Sequence, residues 1–205
     1  MYSTRPNLVL GFHGCDQAIA NDILLGKKEL KKSENDYDWL GHGIYFWEND
    51  PERALEYAKL LQSHPKRSKV KISEPAVIGA VIDLGYCFDL VDNKNLLFLK
   101  EGYDLLVETH TKFDLEIPQN KAVGNNSELL LRYLDCAVIE TIHHFNKENQ
   151  EKDFDSVRGV FWEGDALYPN AGFKDKNHIQ ICIRNPNCIK GYFIPRYSSE
   201  EYPIP

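Results

Sequence analysis

Three short stretches of this chain concentrate residue types that do chemistry: Phe12-His13-Gly14, Gly41-His42-Gly43-Ile44-Tyr45-Phe46 and His178-Ile179-Gln180-Ile181-Cys182-Ile183. A neutral histidine bonds a hydroxyl, a glycine bares its backbone N–H and C=O, and a tyrosine offers a flat ring for stacking. Gly41 and Gly43 permit a turn or a close backbone approach, and the β-branched and aromatic run behind them favours a strand. In the third stretch strict alternation sends Ile179, Ile181 and Ile183 to one face, which is core. His178, Gln180 and Cys182 occupy the other face, free to meet a ligand.

Other chemistries find little support. Cys15 lies two positions from His13 and would suit a nucleophile with its base, but free cysteines are more often small core hydrophobes. The five cysteines are scattered without a Cys-x-x-Cys pair, which argues against a zinc site and for reduced, mostly buried thiols. His143 and His144 are adjacent on a helix and point about 100° apart, so they do not share a metal. No metal site is expected. With 24 Lys and Arg against 31 Asp and Glu, the net charge of -7 argues against coating duplex nucleic acid. A local basic strip, Lys66, Arg67, Lys69 and Lys71, is the best surface for a phosphate backbone. No apolar run is long enough for a membrane span, and the start lacks a signal peptide's apolar region. A cytoplasmic protein with no membrane partner is the expectation.

The elements that must hold these residues follow from periodicity. Leu8 to Phe12 reads as a strand running into His13-Gly14, and Asp16 to Leu25 as a helix stopped by Gly26. Asn49-Asp50-Pro51-Glu52 starts a helix whose stripe is Ala54, Tyr57, Ala58 and Leu61. Ala76 to Leu84 is a strand. Leu96 to Val107 forms one core helix, and Leu129 to Phe145 a second, capped near Asn126 or Ser127. Val157 to Trp162 and His178 to Ile183 are strands flanking a loop, and Pro195 to Pro205 is a disordered or extended tail. No linker divides the chain, so residues 1–205 are expected to form a single domain.

The pairing of His13-Gly14 on one strand with Gly41-x-Gly43-Ile44-Tyr45-Phe46 on a later one resembles the NAD-binding signature of the ADP-ribosyltransferases. The similarity is to the branch of poly(ADP-ribose) polymerases and diphtheria toxin. It covers the first sixty or so residues and the last catalytic strand. It implies an α+β fold, an ADP-ribosyltransferase-like split β-sandwich of two mostly antiparallel sheets with surrounding helices. It also implies NAD as substrate. His13 would bind the adenosine ribose and Gly14 the carboxamide. Tyr45 would stack on nicotinamide, with Tyr57 as a second wall. No Gly-x-Gly-x-x-Gly string follows a strand, so the phosphates are not expected on a Rossmann helix.

The chain departs from that family where a glutamate precedes the last apolar run. Gln180 stands there, able to orient a ribose hydroxyl but carrying no charge to stabilise an oxocarbenium-like sugar. Glu163, in Trp162-Glu163-Gly164-Asp165, is the nearest acid and opens the loop that in the family contacts the acceptor. It would be the general base, with Asp165 competing for that role. Glu163, Gln180 and Tyr45 are thus the expected catalytic residues, and His13, Gly14, Tyr45, Tyr57 and Gln180 bind NAD.

The expected activity is mono-ADP-ribosyl transfer to a macromolecular acceptor, protein or nucleic acid. A chain of this size, with no recognition domain of its own, resembles a bacterial toxin or an anti-phage defence effector, for which an antitoxin or inhibitor protein is a possible partner. The alternatives are a catalytically silent module that binds NAD or ADP-ribose, and a protein-interaction domain with an empty cleft.

Overall fold

The structure, a computed structural model, describes residues 8–65, 70–123, 128–196, 198–199 and 201–202. Asp16 ends strand β1 (Leu8–Asp16) and caps helix α1 (Gln17–Leu24) by accepting the Ala18 N–H. Strand β2 (Ile44–Glu48) is followed by helix α2 (Pro51–Ser63), where Asp50 accepts the Arg53 N–H and Pro51 supplies the preset φ of a first turn. Strands β3 (Pro75–Asp83) and β4 (Cys87–Asp89) lead to helices α3 (Asn93–Lys112) and α4 (Tyr133–Glu148). Strands β5 (Ser156–Phe161), β6 (His178–Ile183) and β7 (Ile189–Phe193) complete the chain.

The strands form a seven-stranded sheet in the order β4-β5-β6-β2-β1-β3-β7, antiparallel everywhere except between β4 and β5. Hydrogen bonding thus joins what the sequence reading divides into two sheets. The seam is slight. β1 pairs with β3 from Leu8↔Asp83 to Asp16↔Pro75, but with β2 only at Gly11↔Glu48 and Phe12↔Trp47. Side chains of one face from both halves, Ile44, Phe46, Ile181 and Ile183 from β2 and β6 and Ala80 and Ile82 from β3, meet in a single buried core. Gly11 lies between them, and a Cβ there would collide with Ile82 and Phe46. The missing side chain at Gly11 is what lets the β2 and β3 side chains meet across β1.

The outer faces are covered by helices. α2 packs on β1 and β3, where Phe12, Trp47 and Ala54 are buried together. α3 and α4 pack on each other, and Ile139 and Ile142 of α4 bury Val157 and Cys182. Two strands, β4 and β7, escape the sequence reading. The first has only three residues, and the second follows a Pro186–Cys188 turn and carries a glycine at its centre.

The second core helix starts at Tyr133, not near Leu129. Leu131 is tied to Lys121 in an isolated bridge, and the exposed helix N–H groups of Leu134 and Asp135 are accepted by the Asn120 side chain. That cap comes from another loop, so no local signal announces it. The expected cap at Asn126 or Ser127 lies outside the described residues, as do Lys66, Arg67 and Lys69 of the basic strip; Lys71 is exposed. Residues 194–196 have no regular structure. No helix among the described residues is long and apolar enough to cross a membrane.

Candidate functional site

The β1–β2 seam brings the first two motifs together. The Leu10 carbonyl accepts the Asn49 N–H on the β2 side, and alternation along the strand gives Phe12 and Gly14 the same orientation. Pairing with β2 stops at Phe12, so the N–H and C=O of Gly14 face the side that β2 has left. A Cβ on Gly14 would run into the Ala54 carbonyl oxygen, which is why α2 can lie so close to the fork. His13 fills the mouth of the fork, its Nδ1 2.8 Å from the Tyr45 carbonyl oxygen. Burial lowers its pKa, and the bond to Tyr45 only partly opposes this, so the imidazole is neutral at pH 7. With Nδ1–H donating to Tyr45, Nε2 is an acceptor.

Tyr45 is held by its hydroxyl, which accepts the Leu40 N–H at 2.9 Å and donates to the Gly41 carbonyl at 2.7 Å. Burial raises its pKa well above the ordinary phenol value, so it stays a donor. Its ring packs toward the α4 side with Leu40 and Cys182. The loop that grips it is itself gripped. Glu140 on α4 accepts the His42 N–H at 2.7 Å, and Arg184 bonds both the His42 carbonyl at 3.0 Å and Glu140 at 2.5 Å. Burial raises the Glu140 pKa, but Arg184 and the His42 N–H outweigh it and hold the carboxyl below its usual value. Neither residue is legible as a partner of the Gly41-x-Gly43 motif from a sequence that separates them by so many positions.

Gln180 lies on the outer face of β6, paired with Trp47 on one side and Gly159 on the other. It shares that face with Cys182 and Tyr45, as the alternation predicts, but the face is not free as expected: His178 and Cys182 are buried, Cys182 beneath Ile139 and Ile142 of α4. Its half-buried carboxamide makes no hydrogen bond among the described residues. Glu163 is not an open loop acid. It is about three quarters buried, 3.4 Å from Arg53 of α2 and 3.9 Å from the His178 ring. Asp165, by contrast, is exposed. His178 is neutral, its pKa lowered by burial, and its Nδ1 bonds the Lys176 carbonyl at 2.6 Å. Arg53 and Trp47 are contributors that sequence reading missed, because nothing local distinguishes them from a helix charge and a strand aromatic.

The structure brings Tyr57, Gln180 and Glu163 to the outer face around Trp47, Arg53 and His178, packs the Tyr45 ring with Leu40 and Cys182 toward α4, and turns the His13 ring to the other face against Phe46; it does not pair Tyr57 with Tyr45. The ring facing Tyr57 is Trp47. The Cys15 thiol is pushed up to about 11, chiefly by burial, which removes the cysteine nucleophile beside His13. None of the five cysteines, all within the described residues, forms a disulfide, and four are buried. His143 turns inward to Asp153 while His144 pairs with Glu148 at the surface, so the two diverge as expected. No group of three metal-ligating side chains occurs among the described residues. Two cavities, of about 400 and 670 Å³, lie away from the fork, one beside Arg184 and Asp155 and one between α3 and α4.

No family model matches the chain, and no solved structure matches it. It is 27% identical over 198 residues to a protein of Methanocaldococcus jannaschii described as uncharacterized, an alignment that covers 87% of this chain and 83% of that one.

Proposed function

We propose that the chain is an NAD-dependent mono-ADP-ribosyltransferase with the split β-sandwich of that superfamily. The observation that carries the reading is the fork. The β2-facing edge of β1 at Gly14, which pairs with no strand among the described residues, offers one N–H and one C=O to a carboxamide, and a neutral His13 beside it offers an acceptor to a ribose hydroxyl. Two half-sheets meeting over Gly11 support the fold.

On this reading Gly14 and the aromatic rings hold nicotinamide, and Gln180 orients its ribose. The bond from the ribose anomeric carbon to the ring nitrogen breaks, and neutral nicotinamide leaves. The acceptor's nucleophile bonds to the same carbon and gives its proton to Glu163, which Arg53 holds in place. The acceptor is a macromolecule, protein or nucleic acid, and a toxin or defence role with a neutralising partner follows by analogy alone.

The test is calorimetry with NAD together with an assay for released nicotinamide. Binding with release is the expected outcome, and no heat of binding at any accessible concentration rejects the reading. One observation favours a second reading, a silent module that binds NAD or ADP-ribose: the residue on β6 is Gln180 and not a glutamate. Binding without release selects it.

A further inference from the structure

Between α1 and β2 the chain runs from Lys27 to Lys32 without helix or strand, yet it is held at both ends and in the middle. The N–H groups of Lys27 and Lys28 donate to the Asp22 carbonyl at 2.8 and 3.3 Å, Leu30 packs against two buried clusters, and Ser33 exchanges both backbone hydrogen bonds with Gly43 at 2.7 and 3.0 Å. This strap carries Lys27, Lys28, Lys31 and Lys32, all exposed, in a chain whose net charge is -7. Lys28 pairs with Asp22 at 2.6 Å. Lys27, Lys31 and Lys32 make no salt bridge among the described residues. Glu29, the acid inside the run, lies near Tyr192 of β7, whose hydroxyl is pushed up to about 12 by burial first and by this carboxylate second. Three unpaired cations thus stand on a fixed backbone.

The strap ends at the mouth of the fork. β1 and β2 part beyond Phe12 and Trp47, so the lips of the opening are the end of β1 at Asp16 and the start of β2 at Ile44. Ser33, fastened to Gly43, brings Lys31 and Lys32 to the β2 lip. On the β1 lip the Asp16 carboxylate accepts the N–H groups of Ser73 and Glu74 at 2.6 and 3.1 Å and so holds the segment that carries Lys71. Lys71 is exposed and makes no salt bridge among the described residues. Cations far apart in the sequence therefore flank one opening.

We propose that Lys27, Lys31, Lys32 and Lys71 form a track for the phosphate backbone of a single-stranded nucleic acid, laid across the fork mouth as the acceptor. The inference rests on the ADP-ribosyltransferase reading and chooses between its two acceptor classes. The spacing suits a strand. Extended chain from Lys27 to Lys32 reaches at most about 18 Å, and the phosphates of a stacked strand recur every ~3.4 Å, so the run matches several consecutive phosphates. The pyrophosphate of one NAD carries two charges side by side and cannot meet all four lysines. A duplex would set its second strand against Asp22, Glu29 and Glu34, which bound the line of lysines, and against the acidic net charge. Lysines meet phosphate as point charges and read no base, so the contact seats the strand without selecting its sequence. The transfer step is unchanged: a nucleophile of the strand bonds to the ribose anomeric carbon, neutral nicotinamide leaves, and the nucleophile's proton passes to Glu163.

The test is fluorescence anisotropy on the intact chain with short labelled single strands, matched duplexes and polyglutamate as probes. It runs beside calorimetry with NAD, an assay for released nicotinamide and an assay for ADP-ribose on the oligonucleotide. Single strands should bind without NAD, and between about 50 and 200 mM salt log K should fall against log salt with a slope of roughly -2 to -3, the value for three or four phosphates. Duplex and polyglutamate should bind more weakly. Lys27→Gln, Lys31→Gln, Lys32→Gln and Lys71→Gln combined should bind single strands about tenfold more weakly at the lower salt, with a slope near zero. That variant should also lose transfer to the oligonucleotide and keep NAD binding and nicotinamide release. An unchanged slope in the variant, a preference for duplex or polyglutamate, or single-strand binding without transfer overturns the track, while NAD binding and nicotinamide release leave the enzyme reading standing. If NAD gives no heat, the reading and the acceptor assignment fall together. Should the combined variant fail to fold, the wild-type slope and the ranking of the three probes still decide.

Discussion

Glu163 and Gln180 divide the polar work of the proposed reaction because their surroundings differ. Glu163 is anchored by Arg53 and faces His178, whereas the Gln180 carboxamide is bonded to nothing among the described residues. Glu163→Gln is expected to lower transfer by about 10²- to 10⁴-fold, the usual cost of losing a general base, with NAD affinity in calorimetry close to the wild-type value. Gln180→Ala should weaken both binding and turnover. Transfer that survives in Glu163→Gln would move the role of base to Asp165 or to the acceptor itself. Unchanged binding and turnover in Gln180→Ala would mean that β6 contributes only its register.

At the scale of elements, two sets of charged side chains fix the strands that carry the site. Arg158 of β5 is buried and bonds Glu48 at the end of β2 at 2.5 and 3.0 Å and Asp89 of β4 at 3.2 Å. Removing the cation strands two carboxylates in a dry place, so Arg158→Met should cost about 3 to 5 kcal/mol in urea unfolding. A loss below 1 kcal/mol would show that water reaches the trio. The second set is Glu140 and Arg184 around His42. Glu140→Ala frees the His42 N–H and leaves Arg184 without its carboxylate, for an expected loss of about 2 kcal/mol. Hydrogen exchange at the His42 amide should quicken while that in β1 and β3 does not. Equal quickening everywhere would make Glu140 a general stabiliser and not a clasp on the motif loop.

Across the whole molecule, His13, His143 and His178 share one electrostatic property. Burial is the largest influence on each, and all three have pKa values lowered from 6.5. In the unfolded chain they take up protons as the pH falls through about 6.5, while in the folded chain they stay neutral to lower pH. The unfolded state therefore binds more protons, and stability drops as the pH falls below that point. Each such histidine contributes a slope of up to about 1.4 kcal/mol per pH unit there. The urea midpoint should thus be flat from pH 8 to 7 and decline from pH 6.5 to 5.5, before the carboxylates titrate. A midpoint that stays flat to pH 5 would mean the imidazoles reach solvent in the native state.

The sequence by itself determined the elements whose signals are local. Asp50 before Pro51 started α2, Gly26 with its positive φ stopped α1, and the alternation of His178 to Ile183 put Gln180 on the outer face. It also placed His13-Gly14 on one strand and Tyr45 on a later one, while only the structure made those strands neighbours. Tertiary structure alone decided the rest, because the deciding contacts join residues far apart in the chain. Asn120 capped α4 from a distant loop and moved its start to Tyr133. A two-pair seam made one sheet of the expected two and left Gly14's backbone open on one side. Arg53 drew Glu163 out of solvent, and the register of β2 with β6 set Trp47, not Tyr45, against Tyr57. Periodicity fixes which face a side chain takes, but only packing fixes which neighbour it meets there.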